Sequence, residues 1–201
     1  MLLHAVGESA LDWRWVLPDL TRSRRVYAPD LLGLVGGANK PADYSPAFFE
    51  RFVAAYFEAL EIERAAMVGN SLGGLVALRL ALSEPRRVSA LSLIGGAGHR
   101  RAASYALRSP TLPGYGELAV AWGKACRRCP TGLLESEVPF ARPERVPDEW
   151  MFPASQAREA VARLRRGSLD LIPDCGHLPQ VERPDHLVAA LSVFLSGQAQ
   201  H

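Results

Sequence analysis

Two residues of this chain have the types and surroundings that nucleophilic catalysis requires. Ser71 stands in the stretch "MVGNSLGG", with Gly69 two residues before it and Gly73 two residues after it. A serine hydroxyl is a weak nucleophile at neutral pH and needs an adjacent base, which is commonly a histidine. His177 follows a predicted strand in "LIPDCGH", on a loop at the edge of the sheet where catalytic groups gather. This pairing suggests acyl transfer.

The other four histidines are expected to have other roles. His4 ends the first predicted strand, and we expect its side chain to be buried with hydrogen bonds to loop backbone. His186 falls within the last predicted helix, His99 in an arginine-rich loop and His201 at the end of the chain, so we expect these three at the surface. His177 is therefore the predicted base.

The elements around Ser71 predict the turn that a catalytic serine needs. Residues 65–68 form a short apolar run typical of a buried strand, and residues 72–82 are apolar almost all round, as in a covered helix. A tight turn between them, called a nucleophile elbow, admits only small neighbours and holds the hydroxyl above the sheet. The helix dipole would favour negative charge there. The alternative is a serine that merely completes a tight turn.

The rest of the chain alternates between strand and helix patterns. This alternation predicts an α/β fold, a mostly parallel sheet with helices on both faces. We expect a single domain of residues 1–201, with a core half at 1–98, an irregular lid-like segment at 99–153 and a second core half at 154–196. Further strands are predicted at 2–5, 25–28, 89–96 and 168–172, and further helices at 10–20, 45–60, 155–166 and 184–195.

Composition narrows the classes of function. The 23 basic and 21 acidic residues give a net charge of +2, too little to favour nucleic acid or an anionic membrane as partner. No apolar run reaches the length of about eighteen residues that a membrane helix needs, and the first residues lack a leader pattern, so a cytoplasmic location is expected. Cys126 and Cys129 have no second ligand pair nearby, which leaves a redox or zinc role as a minor alternative.

Four segments of the chain resemble motifs of the α/β-hydrolase family. They are "LLHAVGES", "VYAPDLLG", "VGNSLGG" and "LIPDCGHLPQVERPDHLVAALSVFL". The sequences of the last two segments are most similar to the branch of the family that contains carboxylesterases and hydrolases of carbon–carbon bonds. The resemblance implies Ser71 as nucleophile, His177 as base, an ester or activated carbonyl as small-molecule substrate, and no metal or cofactor. The backbone N–H groups of Leu72 and Val6 are the expected oxyanion hole.

The departures from the family pattern concern the catalytic acid. The usual acid-bearing strand cannot be found, and the position that aligns with the family's acid is Glu149, with Asp148 as the alternative. By analogy the remaining strands would lie in the order 25–28, 2–5, 65–68, 89–96 and 168–172, without the family's first two strands. Such a loss would bare a sheet edge, through which a homodimer could form.

These departures leave two functions open. The first is a serine hydrolase that transfers an acyl group to water. The second is a catalytically impaired, truncated hydrolase fold that acts as a binding module, because a fold does not by itself guarantee a function.

Overall fold

The computed structural model describes residues 1–31, 44–95 and 167–196, together with residues 157, 158, 161 and 162. Within these ranges a three-stranded sheet is surrounded by helices. The strands are β1 (Leu2–Leu3), β2 (Ala65–Asn70) and β3 (Val88–Ile94). A 3-10 helix spans Ala10–Trp15, and the α-helices are α1 (Leu17–Thr21), α2 (Pro46–Ala59), α3 (Leu72–Ser83), α4 (Pro179–Glu182) and α5 (Pro184–Ser196).

The three strands run parallel in the order β1, β2, β3. Leu3 pairs with Gly69, and Gly69 pairs in turn with Leu93, so the carboxyl ends of all three strands meet at one edge. The amide of Leu2 donates to the carbonyl of Tyr27 at 2.8 Å, so the segment 25–28 runs beside β1 without forming a strand. The observed order agrees with the expected one for β1, β2 and β3.

Helices cover both faces of the sheet. On one face α2 and α3 pack over Leu3 and Met67. On the other face the 3-10 helix, α1 and α5 pack over Leu2 and Val68. Successive strand residues point to opposite faces, so neighbours in one strand belong to different cores. The arrangement is the three-layer α/β architecture that the sequence predicts.

Several predicted elements are confirmed. Helix α2 begins as expected, with Ser45 accepting a hydrogen bond from the amide of Phe48 at 3.2 Å and Pro46 at the first helical position. The predicted helix at 10–20 forms as a 3-10 helix followed by the short α1. Residues 157, 158, 161 and 162, which fall in the predicted helix 155–166, are helical.

Two predicted strands are wrong. Residues 25–28 have no regular secondary structure, although the carbonyl of Tyr27 accepts the amide of Leu2. Residues 168–172 have no regular secondary structure, although Ile172 packs against the core that α5 covers. A strand-like sequence is not sufficient for a strand, because a strand also needs a neighbour to satisfy its backbone. Among the described helices, none is long and apolar enough to cross a lipid bilayer.

Candidate active site

Ser71 occupies a strained turn between β2 and α3. Its backbone angles are φ 50° and ψ −113°, in the left-handed region that residues with a side chain rarely adopt. Its amide donates to the carbonyl of Ile94 at 2.9 Å, which extends the pairing of β2 and β3 up to the serine. Its hydroxyl makes no capping bond to α3. Such strain persists only where the surroundings enforce it, and it is concentrated at functional sites.

Close backbone packing enforces this turn. A Cβ atom added to Gly69 would meet the backbone of Gly73, and one added to Gly73 would meet the backbone of Leu3 and His4. The first turn of α3 therefore lies directly on the carboxyl end of β1. The two glycines on either side of Ser71 are required for steric reasons, as expected for a nucleophile elbow.

The loop that carries His177 is bonded to the same edge of the sheet. The side-chain amide of Asn70, the residue before Ser71, donates to the carbonyl of His177 at 2.9 Å. From the other side, the carboxylate of Glu182 accepts the amide of Gly176 at 2.6 Å and that of Leu178 at 3.0 Å. These three bonds hold the backbone on both sides of the histidine.

The imidazole of His177 lies against Gly95, the first residue after β3. A Cβ atom on Gly95 would be 2.7 Å from Cε1 and 2.8 Å from Nδ1 of the ring, closer than atoms can approach. Gly95 also has a φ of 56°, which favours glycine. Ser71 follows β2 and the ring of His177 lies at the end of the adjacent β3, and each residue is 7 % exposed. The structure thus brings the predicted nucleophile and the predicted base to one edge.

The loop after β1 is fixed by His4, which is fully buried. Its Nδ1 lies 2.8 Å from the carbonyl of Ala5, and its Nε2 accepts the amide of Leu31 at 2.8 Å. These two bonds define a neutral ring that carries its proton on Nδ1. The expectation of a buried histidine bonded to loop backbone is confirmed.

The two backbone groups of the expected oxyanion hole lie close to this loop and to the turn. Val6 follows β1 and is exposed, and Leu72 is the first residue of α3. The structure shows no acceptor among the described residues for either N–H group. The oxyanion hole formed by these two N–H groups stays a prediction.

Two carboxyl groups lie on the segment that follows β1, Glu8 in the loop and Asp12 in the 3-10 helix. Glu8 is half-buried and its carboxyl group is hydrogen-bonded to that of Asp12, which is 8 % exposed. Burial and the nearby charge of Asp12 raise the pKa of Glu8 to about 7, and the positive form of His177 opposes that shift. Burial likewise raises the pKa of Asp12. The two groups can therefore share a proton near neutral pH.

Most of the other predicted site residues are not among the described residues. Glu149, Asp148, Cys126 and Cys129 fall outside the described residues, as do His99, His201 and the whole segment 99–153. His186 is 41 % exposed at its side chain and lies 3.4 Å from the carboxylate of Asp170, which agrees with a surface position. Within the described ranges, no three His, Cys, Asp or Glu side chains converge on a possible metal site.

Sequence reasoning missed four residues of this edge: Asn70, Gly95, Glu182 and Glu8. A signal existed for two of them. Asn70 stands directly before the candidate nucleophile, and Gly95 begins the "GG" pair that ends β3. Glu8 had no local signal, because it acts on a part of the chain that only folding brings close. Glu182 acts on nearby residues, Gly176 and Leu178, but no motif marked it.

A three-layer parallel sheet with a serine elbow at its carboxyl edge is the architecture of an α/β-hydrolase. This chain belongs to that family, because the family model for the α/β hydrolase fold matches residues 1–129, well over half of its length.

Several relatives of this chain are named as hydrolases. The 2-hydroxymuconate semialdehyde hydrolase of Pseudomonas sp. strain CF600 is 45 % identical over 103 residues, or 49 % of this chain and 36 % of that protein. The 2-hydroxy-6-oxo-2,4-heptadienoate hydrolase of Pseudomonas putida is 38 % identical over 103 residues, or 49 % of this chain and 37 % of that protein. The aligned part thus spans little more than a third of these relatives' length.

A solved structure extends the likeness in fold to nearly the whole chain. The meta-cleavage product hydrolase of Pseudomonas fluorescens IP01, bound to acetates, superposes with a TM-score of 0.73. That superposition covers 98 % of this chain and 89 % of the other, at 23 % identity. At this identity the likeness concerns the fold alone.

Proposed function

We propose that this chain is a serine hydrolase that cleaves a carboxylic ester or an activated carbonyl compound by acyl transfer to water. The observation that carries the proposal is that a strained serine follows β2 while a histidine ring lies at the end of the adjacent β3, at the same edge of the sheet. A strained elbow and a buried imidazole at one edge are the parts that a serine–histidine mechanism requires.

In the proposed reaction, the Oγ of Ser71 attacks the carbonyl carbon while His177 takes the hydroxyl proton. The carbonyl oxygen becomes an oxyanion that accepts hydrogen bonds from the amides of Leu72 and Val6. The bond to the leaving group then breaks, and His177 returns the proton to that group. Water, deprotonated by His177, next attacks the acyl-enzyme and releases the acid and the free serine.

The third catalytic group in this proposal is Glu149, with Asp148 as the alternative. A carboxylate would hold the tautomer and orientation of His177 and stabilise its charged form. Glu149→Gln should lower turnover by orders of magnitude if Glu149 has this role, and Asp148→Asn is the matched comparison. If neither substitution changes the rate, the acid is a different residue.

The test of the proposal compares the wild type with Ser71→Ala on short-chain 4-nitrophenyl esters. We expect the wild type to exceed the variant by at least a hundredfold in kcat/KM. A fluorophosphonate should add one adduct to the wild type and none to Ser71→Ala, measured by intact mass. Equal rates and no adduct would leave the alternative, an inactive hydrolase fold that serves as a binding module.

A further inference from the structure

Asn70 is the last residue of β2 and the direct neighbour of the candidate nucleophile. Side chains along a strand point to alternate faces of the sheet, and Gly69 faces α3, so Asn70 points to the opposite face. The 3-10 helix, α1 and α5 cover that face, and the loop of His177 precedes α5 in the chain. The side chain of Asn70 is therefore directed from the strand of the nucleophile towards the loop of the base.

The hydrogen bond that Asn70 makes is buried and has a defined direction. Its Nδ2 donates to the carbonyl of His177 at 2.9 Å, across 107 residues of chain. The amide of Ser71 donates to the carbonyl of Ile94 at 2.9 Å, so the strand end that carries Asn70 is itself bonded to β3. One side-chain hydrogen bond thus joins the residue before the nucleophile to the backbone of the base.

The amide of Asn70 also lies close to the imidazole. A Cβ atom on Gly95 would be 3.4 Å from Nδ2 of Asn70 and 2.7 Å from Cε1 of His177. The amide and the ring therefore lie around the same point at the end of β3. Loss of the amide would open space beside the ring and remove the bond to the carbonyl.

Asn70 occupies its position at a cost in hydrogen bonding. The side chain is fully buried, and its Oδ1 has no donor among the described residues and is shielded from water. A buried acceptor without a donor destabilises the fold, and native structures contain few of them. An apolar side chain of similar size would avoid this cost but could not bond to His177. The asparagine is thus better suited to holding the histidine than to stabilising the fold.

From these contacts we propose that Asn70 is a positioning residue, which sets the distance between the hydroxyl of Ser71 and the imidazole of His177. This inference rests on the proposed serine-hydrolase function. Proton transfer from a hydroxyl to a base requires their heavy atoms to lie within about 2.6 to 3.2 Å. A misplacement of about 1 Å can cost a hundredfold in rate. Because the base acts in the transition state, loss of Asn70 should lower kcat and leave KM nearly unchanged.

Asn70→Leu tests this role, because it removes the donor and keeps a similar volume. On a short-chain 4-nitrophenyl ester we expect kcat to fall about a hundredfold at an unchanged KM. The urea midpoint should stay close to that of the wild type, because removal of the unpaired Oδ1 offsets the lost bond.

Asn70→Ala is the second variant, which removes the donor without adding an apolar branch. It should lose as much activity as Asn70→Leu, which would assign the loss to the missing donor. Ser83→Ala is the matched control, since it removes a side-chain hydrogen bond of 2.7 Å to Glu50 at the far end of α3. It should keep the wild-type kcat.

Hydrogen exchange measured by mass spectrometry separates positioning from a general loss of structure. In Asn70→Leu we expect faster exchange of the amides in the loop 174–178 and wild-type rates in α2. Faster exchange in all the described elements, or failure of both variants to fold, would overturn positioning in favour of a purely structural role. Wild-type kcat in both variants would overturn the role of Asn70 alone. If the wild type is no faster than Ser71→Ala, the proposed function fails and this role fails with it.

Discussion

The nucleophile and the histidine of the candidate site are held by different kinds of contact. The turn around Ser71 is fixed by the sheet and by backbone atoms packed so closely that two glycines are required. The loop of His177 follows residues without regular structure, and it is held by the side chains of Asn70 and Glu182 and by the space above Gly95. The geometry of the Ser71 turn is therefore sensitive to added side-chain volume. The position of the His177 loop is sensitive to the loss of single polar groups.

The largest effect should come from crowding the turn. Gly73→Ala places a methyl group on the backbone of Leu3 and His4, which cannot move without displacing β1. We expect a loss of about 3 kcal/mol or more in the free energy of unfolding, measured by urea titration.

Gly74→Ala is the graded control for this substitution. Its added methyl group would lie 2.9 Å from a single backbone oxygen, that of Gly69, with its other neighbours beyond 3.4 Å. It should therefore destabilise the protein less than Gly73→Ala. Equal losses would mean that the distance to the nearest backbone atoms does not decide the cost.

The second largest effect should come from crowding Gly95, which lies against the imidazole of His177. Gly95→Ala should displace the ring of His177 and lower kcat/KM on a neutral 4-nitrophenyl ester by about a hundredfold, because misplaced catalytic groups lose most of their effect. The fold should persist, with a destabilisation of about 1 kcal/mol from the left-handed backbone. Activity and urea unfolding are measured on the same preparation.

Gly7→Ala separates backbone strain from crowding. Gly7 has a φ of 79° and nothing within 4 Å of an added Cβ, so only the backbone penalty applies. It should match Gly95→Ala in stability and lose much less activity. A similar loss of activity in both variants would argue against the ring contact as the cause.

A smaller effect is expected for the carboxylate that holds the histidine loop. In Glu182→Gln one oxygen becomes an amide group that cannot accept the N–H of Gly176 or Leu178. We expect about a tenfold fall in kcat/KM and a loss of about 1 kcal/mol of stability. Asp185→Asn changes an exposed carboxylate in the first turn of α5 and is the matched control. Its effects on kcat/KM and on stability should each be at most about a third of those of Glu182→Gln.

The smallest effect is a dependence of stability on pH. The pKa of Glu8 is raised from its ordinary value of 4.5 to about 7, so the folded chain binds more protons than the unfolded chain between these values. The contribution of Glu8 to stability is therefore fully present below about pH 4.5 and is lost as the pH rises through about 7.

Urea titrations of the wild type and Glu8→Gln from pH 5 to pH 8.5 measure this contribution. We expect the stability of the wild type to fall relative to the variant by about 1 kcal/mol, since water screens a half-exposed group. A constant difference across this range would mean that Glu8 titrates normally.

Sequence reasoning succeeded where the deciding contacts are local. The predicted strand at 65–68 and helix at 72–82 are observed as Ala65–Asn70 and Leu72–Ser83, because an apolar run, two glycines and a helical pattern are read within one segment. The buried role of His4 also followed from its place at the end of a strand.

Prediction from the sequence failed where the interacting residues are distant in the chain. The sequence of residues 168–172 predicted a strand, but a strand forms only beside a neighbouring strand, which the local sequence does not specify. Glu8 meets His177 only across the folded edge of the sheet. Such contacts depend on the register and packing of elements, which one segment does not encode.

The buried imidazole of His4 is a natural NMR probe of this protein. A proton held between Nδ1 and the carbonyl of Ala5, inside a core that water does not reach, should exchange with solvent slowly enough to give its own downfield NMR signal. That single resonance would follow the order of the loop that carries Glu8 during titration or ligand addition, without any chemical tag.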